Sequence, residues 1–145
     1  MKLSLTTPRG ALVETDVEEI TAPGEIGEMG ILPGHVPLMS ALKPGVLTYR
    51  TGDHAGVVAV GQGFLQVAPL PATGDGQALD RVLVLVDQAT PAADVDRPAA
   101  ERDLAAADRE LAAWKGELDG AYVALVIRRQ WAQARVDAST RIAPH

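Results

Sequence analysis

The chain has 145 residues, of which 47% are hydrophobic, and a formal net charge of −6. A chain of this length can bury one modest core plus a small second unit such as a helix pair. It contains no cysteine, which excludes disulfides and thiol chemistry. The acidic charge and few aromatics argue against nucleic acid as a partner. No apolar run approaches the roughly 18 residues that span a bilayer, and the first residues lack a secretory signal, so we expect a soluble chain without direct bilayer insertion.

Up to about residue 88, the apolar residues occur in short runs separated by glycine and proline, which is typical of strands. Leu3 and Leu5 alternate with polar neighbours, and residues 57–60 and 81–86 form apolar runs consistent with buried strands. The run at 81–86 is expected to be central. We predict that residues 1–89 form an antiparallel β-sandwich, and that the whole chain is of the α+β class.

The segment at residues 24–38, which reads GEIGEMGILPGHVPL, interrupts this strand pattern. Gly27, Gly30 and Gly34 can take positive φ angles at no steric cost, whereas Pro33 and Pro37 fix φ and withhold backbone donors. The composition therefore predicts an exposed loop held in turns.

Two other segments rich in glycine or proline predict turns or loops without a binding role. Gly61-Gln62-Gly63 precedes the strand that begins at Phe64, so it predicts a turn or bulge and not a phosphate-binding loop. Residues 69–77 predict a long exposed loop, which a sandwich tolerates because the entropy of loop closure grows slowly with length.

After Thr90, the apolar period changes to that of amphipathic helices, which predicts an αα-hairpin over residues 90–145. The first helix should begin near Pro98, with Asp94 or Asp96 as its cap, and should end at Gly116 or at Asp119-Gly120. Its stripe is Leu104, Ala107, Leu111, Trp114 and Leu118, and the second stripe is Ala124, Ile127, Trp131, Ala134 and Ala138. The predicted hairpin core is Leu104, Leu111, Trp114, Leu125, Ile127 and Trp131, with Trp114 near the start of helix two.

The two helices differ in charge. Residues 94–119 hold eight acids and four bases, whereas residues 121–142 hold four arginines and one aspartate. The simplest interpretation is that Arg128, Arg129 and Arg135 are solvated and pair loosely with the first helix.

No set of residues predicts catalysis. His35, His54 and His145 are widely separated and have no metal-ligand spacing, and no serine lies beside an activating group. We predict no catalytic residue, no metal site and no cofactor, and we do not expect an enzyme.

Residues 27–38, GEMGILPGHVPL, followed by Leu42-Lys43-Pro44-Gly45, closely resemble the signature of the epsilon subunit of F-type ATP synthases. The similarity extends from Leu12-Val13 through Gly61 to Val67 and into the helical pair. It implies a non-catalytic rotor subunit of the proton-translocating enzyme, whose sandwich binds the gamma subunit and rests on the c-ring. It also implies a location on the cytoplasmic face of the bacterial inner membrane.

The resemblance assigns roles to particular residues. Contact with the c-ring falls on Glu28, Met29, Ile31, Leu32 and His35, with Glu28 and His35 as the polar contacts. In bacterial relatives the hairpin can extend into the catalytic head of alpha and beta subunits and block ATP hydrolysis, so Arg128, Arg129 and Arg135 are hypothetical head contacts. Against the family pattern, residues 69–77 look like an insertion of about ten residues.

Some relatives bind ATP through a motif that resembles Ile/Leu-Asp-x-x-Arg-Ala at the start of helix one. Here the sequence reads Val95-Asp96-Arg97-Pro98-Ala99-Ala100, so the aspartate is present but Ala99 stands at the arginine position. Asp96 and Arg97 are what remains of the motif, and ATP sensing is not expected. The alternative to a rotor subunit is a free-standing β-sandwich adaptor with a helical interaction arm.

Overall fold

The computed structural model describes residues 1–34, 37–69 and 80–141. Within these ranges, ten strands precede a short 3₁₀ turn and two helices, which confirms the predicted order of a β-sandwich followed by a helical hairpin. The strands are β1 Lys2–Thr7, β2 Gly10–Asp16, β3 Glu19–Gly24, β4 Gly27–Ile31, β5 Leu38–Leu42, β6 Gly45–Thr51, β7 His54–Val60, β8 Gly63–Pro69, β9 Asp80–Val86 and β10 Ala89–Pro91. The 3₁₀ turn covers Ala92–Asp94, and the helices are α1 Arg97–Ala112 and α2 Gly120–Thr140. The loop predicted at residues 69–77 lies almost entirely outside the described residues.

The strands run in the order β10-β7-β6-β3-β5-β8-β9-β1-β2, and β4, which lies off this path, also pairs with β3. Side chains from β1, β8 and β9 share one buried cluster with side chains from β3, β6 and β7, so the sheet folds into two layers around a single core. The β1–β9 ladder is parallel, which differs from the all-antiparallel prediction. Strand β10 continues to Pro91, beyond the boundary predicted at residue 89.

Strand β9 is central, as predicted, because it pairs with both β8 and β1. Its alternate residues Val82, Val84 and Val86 are buried in the core. Leu85 points to the other face and is exposed. The strand is therefore buried on its inner face, and Leu85 on its outer face is not covered by any of the described residues.

The predicted turn at Gly61-Gln62-Gly63 leads into β8. The amide N–H of Gly61 donates to the carbonyl of Gln88, and that of Asp87 donates to the carbonyl of Gln62. A Cβ atom on Gly63 would lie 1.8 Å from the carbonyl oxygen of Leu85. Glycine is therefore required here because two backbone segments cross at close range.

Helix α1 begins as the sequence predicts. Pro98 lies in its first turn, and the Asp96 carboxylate accepts the amide N–H of Ala99 at 3.1 Å as the N-cap. At its other end the helix stops at Ala112, earlier than predicted, so Trp114 and Leu118 lie in the connection at residues 113–119. Gly116 disfavours helix in this connection, and Asp119 caps α2 by accepting the N–H groups of Ala121 and Tyr122.

Trp114 nevertheless lies near the start of helix two, as predicted. Its ring centroid is 5.6 Å from that of Tyr122, and its indole N–H donates to the carbonyl of Glu117. Of the predicted hairpin core, Leu125 is buried and Leu104, Leu111, Trp114, Ile127 and Trp131 are half-buried. Leu118 is 77% exposed and Ala124 is also exposed, so these two stripe positions are wrong.

Small side chains join the hairpin to the sandwich. Ala134 and Ala138 of α2 pack against Val46 of β6 and Ala59 of β7, and Ala92 completes this buried cluster. Helix α2 can approach β6 and β7 closely because alanine has no bulky side chain. We call this cluster the alanine seam. Neither described helix is long and apolar enough to cross a membrane.

Candidate functional site

Three large apolar side chains stand on the outer face of the sandwich, on the neighbouring strands β5, β8 and β9. Phe64 is 57% exposed and lies directly opposite Leu85, which is 47% exposed. Met39 is 67% exposed and lies on β5, two residues from Ala41, the partner of Phe64. Large apolar side chains that are contiguous on one face mark binding surfaces more often than chance. We call Met39, Phe64 and Leu85 the apolar strip.

The apolar strip was not predicted, although the alternation of residues along β8 indicates it. An antiparallel strand with one face on the core normally places polar residues at the alternate, outward positions. Because Leu65 and Val67 are buried in the core, Phe64 must point outward. A large aromatic residue at an outward position, opposite an outward leucine, is the pattern that identifies such a surface.

A groove of mixed polarity, to which Glu25, Lys43 and Asp87 also contribute, runs from the apolar strip towards the hairpin. Phe64, Ala41 and Leu42 line this groove of about 650 Å³, whose other wall is α2, where it is formed by Val123, Val126, Ile127 and Gln130. Val123 is 53% exposed. A partner that covers the apolar strip therefore lies close to the first half of α2.

The segment at residues 24–38 is not a single loop. Its middle is strand β4, which pairs with β3 through a turn at Glu25 and Ile26. A Cβ atom on Gly24 would lie 2.6 Å from the carbonyl oxygen of Gly27, and Gly27 has a φ of +153°. The glycines therefore serve a tight hairpin, and they leave Ile26 fully exposed at its tip.

Four of the five residues predicted to contact the c-ring are described, and they separate into three groups by burial. Glu28 is exposed on β4 close to the turn, and Leu32 is 56% exposed just after the strand. Met29 is half-buried against the core. Ile31 is fully buried in the core, so its side chain can support β4 but cannot form part of a contact surface. His35 lies outside the described residues.

The connection between β4 and β5 is tied to another strand. The amide N–H of Gly34, which has a φ of +83°, donates to the carboxylate of Asp80. Asp80 is the first residue of β9 and pairs with Pro69 at the end of β8. The bond therefore joins the glycine-proline connection to the edge of the sandwich where β8 ends and β9 begins.

The arginines of α2 pair with acids of α1. Arg135 donates to Asp103 at 2.9 Å, Arg129 pairs with Asp108, and Arg128 pairs with Glu110. The Arg128 and Glu110 side chains are each more than half exposed. The predicted pairing with the first helix is therefore confirmed for all three arginines.

Arg135 is the most enclosed of these arginines, since its side chain is only 19% exposed. Its guanidinium carbon lies 5.5 Å from the centroid of the Trp131 ring, a cation–π distance. Its Nε atom is buried and has no hydrogen-bond partner among the described residues. Arg135 therefore combines an ion pair with packing inside the hairpin.

Asp96 and Arg97, the two residues that remain of the ATP motif, both make contacts within α1. The carboxylate of Asp96 caps α1, and Arg97 pairs with Glu101 one turn later at 2.9 Å. Across the described ranges, no group of three His, Asp or Glu side chains is placed to hold a metal ion. The arrangement offers an apolar surface, an anchored loop and a paired hairpin, which are features suited to binding a partner.

Residues 1–92 match the family described as ATP synthase, delta/epsilon chain, beta-sandwich domain. The chain is 38% identical over 96 residues to the ATP synthase epsilon chain of Anoxybacillus flavithermus, which covers 66% of this chain and 64% of that protein. It is 41% identical over 96 residues to the epsilon chain of an Anaeromyxobacter species, covering 66% of this chain and 65% of that protein. The match thus spans slightly less than two thirds of these relatives' lengths.

A chain in the solved Euglena gracilis mitochondrial ATP synthase, an assembly of OSCP, F1 and c-ring, has the same fold. The TM-score is 0.72 at 23% identity, and the superposition covers 96% of this chain and 80% of that one. The similarity therefore includes the hairpin, which lies outside the residues that match the family.

Proposed function

The chain belongs to the delta/epsilon-chain family of ATP synthases, and we propose that it is a non-catalytic central-stalk subunit of a proton-translocating F-type enzyme. In this role it couples rotation of the c-ring to the catalytic head through the gamma subunit. The observation that carries the proposal is the conjunction of the family match over the sandwich with an exposed apolar strip on that same sandwich. A rotor subunit requires such a surface to bind a neighbouring subunit permanently.

We assign the gamma subunit to the apolar strip. The opposite outer face, on β6 and β7, is already covered by α2 through the alanine seam, whereas Met39, Phe64 and Leu85 remain exposed. Permanent interfaces are more apolar than ordinary surface, because both partners stay together throughout their lifetime. The groove beside α2 would bring the same partner close to the hairpin.

We assign the c-ring to the exposed residues of the glycine-proline segment. Glu28 and Leu32 are accessible there, and Ile26 is a third exposed side chain that the sequence analysis did not single out. Ile31 and Met29 support this surface from within. Polar loops of the c-ring suit a surface with one carboxylate and two separate aliphatic side chains.

The hairpin is the regulatory element of the proposal. In the structure it is folded against the sandwich, and its arginines are paired with α1. The exposed ion pairs of Arg128 and Arg129 contribute little each, under about 1 kcal/mol, so an acidic surface on the catalytic head can compete for these arginines. We propose that Arg128, Arg129 and Arg135 bind the alpha and beta subunits when the hairpin extends, and that this state inhibits ATP hydrolysis.

The test is isolation of the chain from its own cells. The tag belongs at the carboxyl end, because the Met1 ammonium donates to the carbonyl of Val17 and should stay free. The inner membrane is solubilised gently, the tagged chain is purified, and the proteins that accompany it are identified by mass spectrometry. We expect gamma, alpha, beta and the c-ring among them, since the chain is proposed to sit on the cytoplasmic face of this membrane. Recovery of the chain with none of these subunits would overturn the proposal and favour the adaptor.

A further inference from the structure

We infer that Asp80 is a positioning residue that holds residues 32–34, which follow β4, in the conformation in which they dock. The inference rests on the proposed function, because it concerns the same c-ring surface. It assigns a role to a residue on a different strand, 46 positions away from Gly34 in the sequence.

The described part of the connection, residues 32–34 and 37, offers few backbone donors. Pro33 and Pro37 have no backbone N–H, so among the described residues 32–34 and 37 only Leu32 and Gly34 can donate from the main chain. Gly34 uses its N–H to bond the Asp80 carboxylate. A carboxylate that accepts a backbone N–H forms a charge-assisted bond, which is stronger than a neutral one.

The backbone conformation of Gly34 is selected only if another group holds it in place. Its φ of +83° is accessible to glycine without strain, but glycine has many other conformations available, so the sequence alone does not select this one. An acceptor fixed on a neighbouring strand selects it. Asp80 is suited to this because its backbone is held in the β8–β9 ladder opposite Pro69.

The bond between Gly34 and Asp80 links the residues that follow β4 to the start of β9. Ile31 at the end of β4 is buried in the core, and Leu32 is exposed immediately afterwards. The bond from Gly34 to Asp80 therefore fixes the backbone just beyond Leu32. Loss of the bond should leave the core unchanged and should loosen only the docking surface.

The experiment compares the full wild-type chain with Asp80→Ala, Asp80→Asn and the control Asp53→Ala, an exposed aspartate on the β6–β7 turn. The first readout is the exchange rate and NMR shift of the Gly34 amide. The second is the affinity of each chain for a purified complex of gamma and c-ring in detergent. Thermal unfolding of each variant establishes that the sandwich stays folded.

We expect Asp80→Ala to speed exchange at Gly34 about tenfold and to weaken binding about three- to tenfold, because a charge-assisted bond is lost at an exposed site. Asp80→Asn keeps an acceptor oxygen and should restore both values in part, while Asp53→Ala should match the wild type. Unchanged exchange or unchanged binding in Asp80→Ala overturns the inference. Failure of the wild type to bind overturns the proposed function and with it the docking role of Asp80, whatever the exchange rate.

Discussion

Arg135 lies over the ring of Trp131, one turn earlier on the same helix, while its guanidinium bonds Asp103 on the other helix at 2.9 Å. The contact joins the two helices at a point where α2 also packs on the sandwich, because Trp131 contacts the alanine seam. The Arg135 side chain thus contacts both Asp103, which pairs the two helices, and Trp131, which packs against the sandwich.

The first prediction is that Arg135→Ala destabilises the hairpin more than Arg128→Ala does. Arg135 is 19% exposed and loses an ion pair and a cation–π contact, which we expect to cost about 1–2 kcal/mol. Arg128 is 53% exposed, and its loss should cost about 0.5 kcal/mol or less. Tryptophan fluorescence, to which Trp114 and Trp131 both contribute, measures the urea unfolding of both variants, and equal losses would contradict the assignment of Arg135.

The second prediction concerns the alanine seam. Ala138→Leu should loosen the hairpin from the sandwich, because Ala138 is fully buried against β6 and β7 and a larger side chain overpacks the site at a cost of about 1–3 kcal/mol. Limited proteolysis should then cleave between the sandwich and α1 faster than in the wild type. Ala124→Leu, at an exposed position of the same helix, is the matched control and should be cleaved at the wild-type rate.

The third prediction is that Gly63→Ala destabilises the sandwich by at least about 2 kcal/mol, because its Cβ would lie 1.8 Å from a carbonyl oxygen of β9. Gly30→Ala is the control, since no atom lies within 4 Å of the position of its Cβ and its φ is not positive. It should change stability by about 0.5–1 kcal/mol in either direction. Guanidinium unfolding distinguishes them, and a wild-type midpoint for Gly63→Ala would refute the close approach.

Most of the fold follows from the sequence because local patterns determine it. The strands at 57–60 and 81–86, the N-cap Asp96 and the turn at Gly61 are set by residues close together in the chain. The errors have a different origin. The parallel β1–β9 pair and the burial of Ile31 depend on which strands are neighbours, and no local pattern specifies this.

The candidate site was less predictable for the same reason. The composition of residues 24–38 identified the segment, and its tight turn and strand β4 form a local hairpin with β3, but the bond to Asp80 joins residues 46 positions apart and no local pattern indicates it. The Arg–acid pairs across the hairpin were predictable because helical spacing and opposite charge constrain which residues meet.

The fourth prediction is that Phe64→Glu combined with Leu85→Glu abolishes binding to gamma while the chain remains folded. Both side chains are about half exposed, so charges there stay solvated in the free chain and become unfavourable only when gamma covers them. Affinity should fall at least a hundredfold by surface plasmon resonance. Leu118→Glu, a charge at an exposed leucine of the hairpin connection, is the control and should bind normally.

The fifth prediction separates the two roles proposed for the arginines of α2 by the sign of the effect. If they only hold the hairpin folded, neutralising their partners with Asp103→Asn, Asp108→Asn and Glu110→Gln should act like neutralising the arginines themselves. If they also bind the catalytic head, the two changes should oppose each other. The variant with neutralised acids frees the arginines and favours the extended state, so ATP hydrolysis by the assembled enzyme should decrease.

The triple Arg→Gln variant frees the hairpin but removes its head contacts, so hydrolysis should increase. Hydrolysis that moves in the same direction in both variants would exclude the arginines as head contacts.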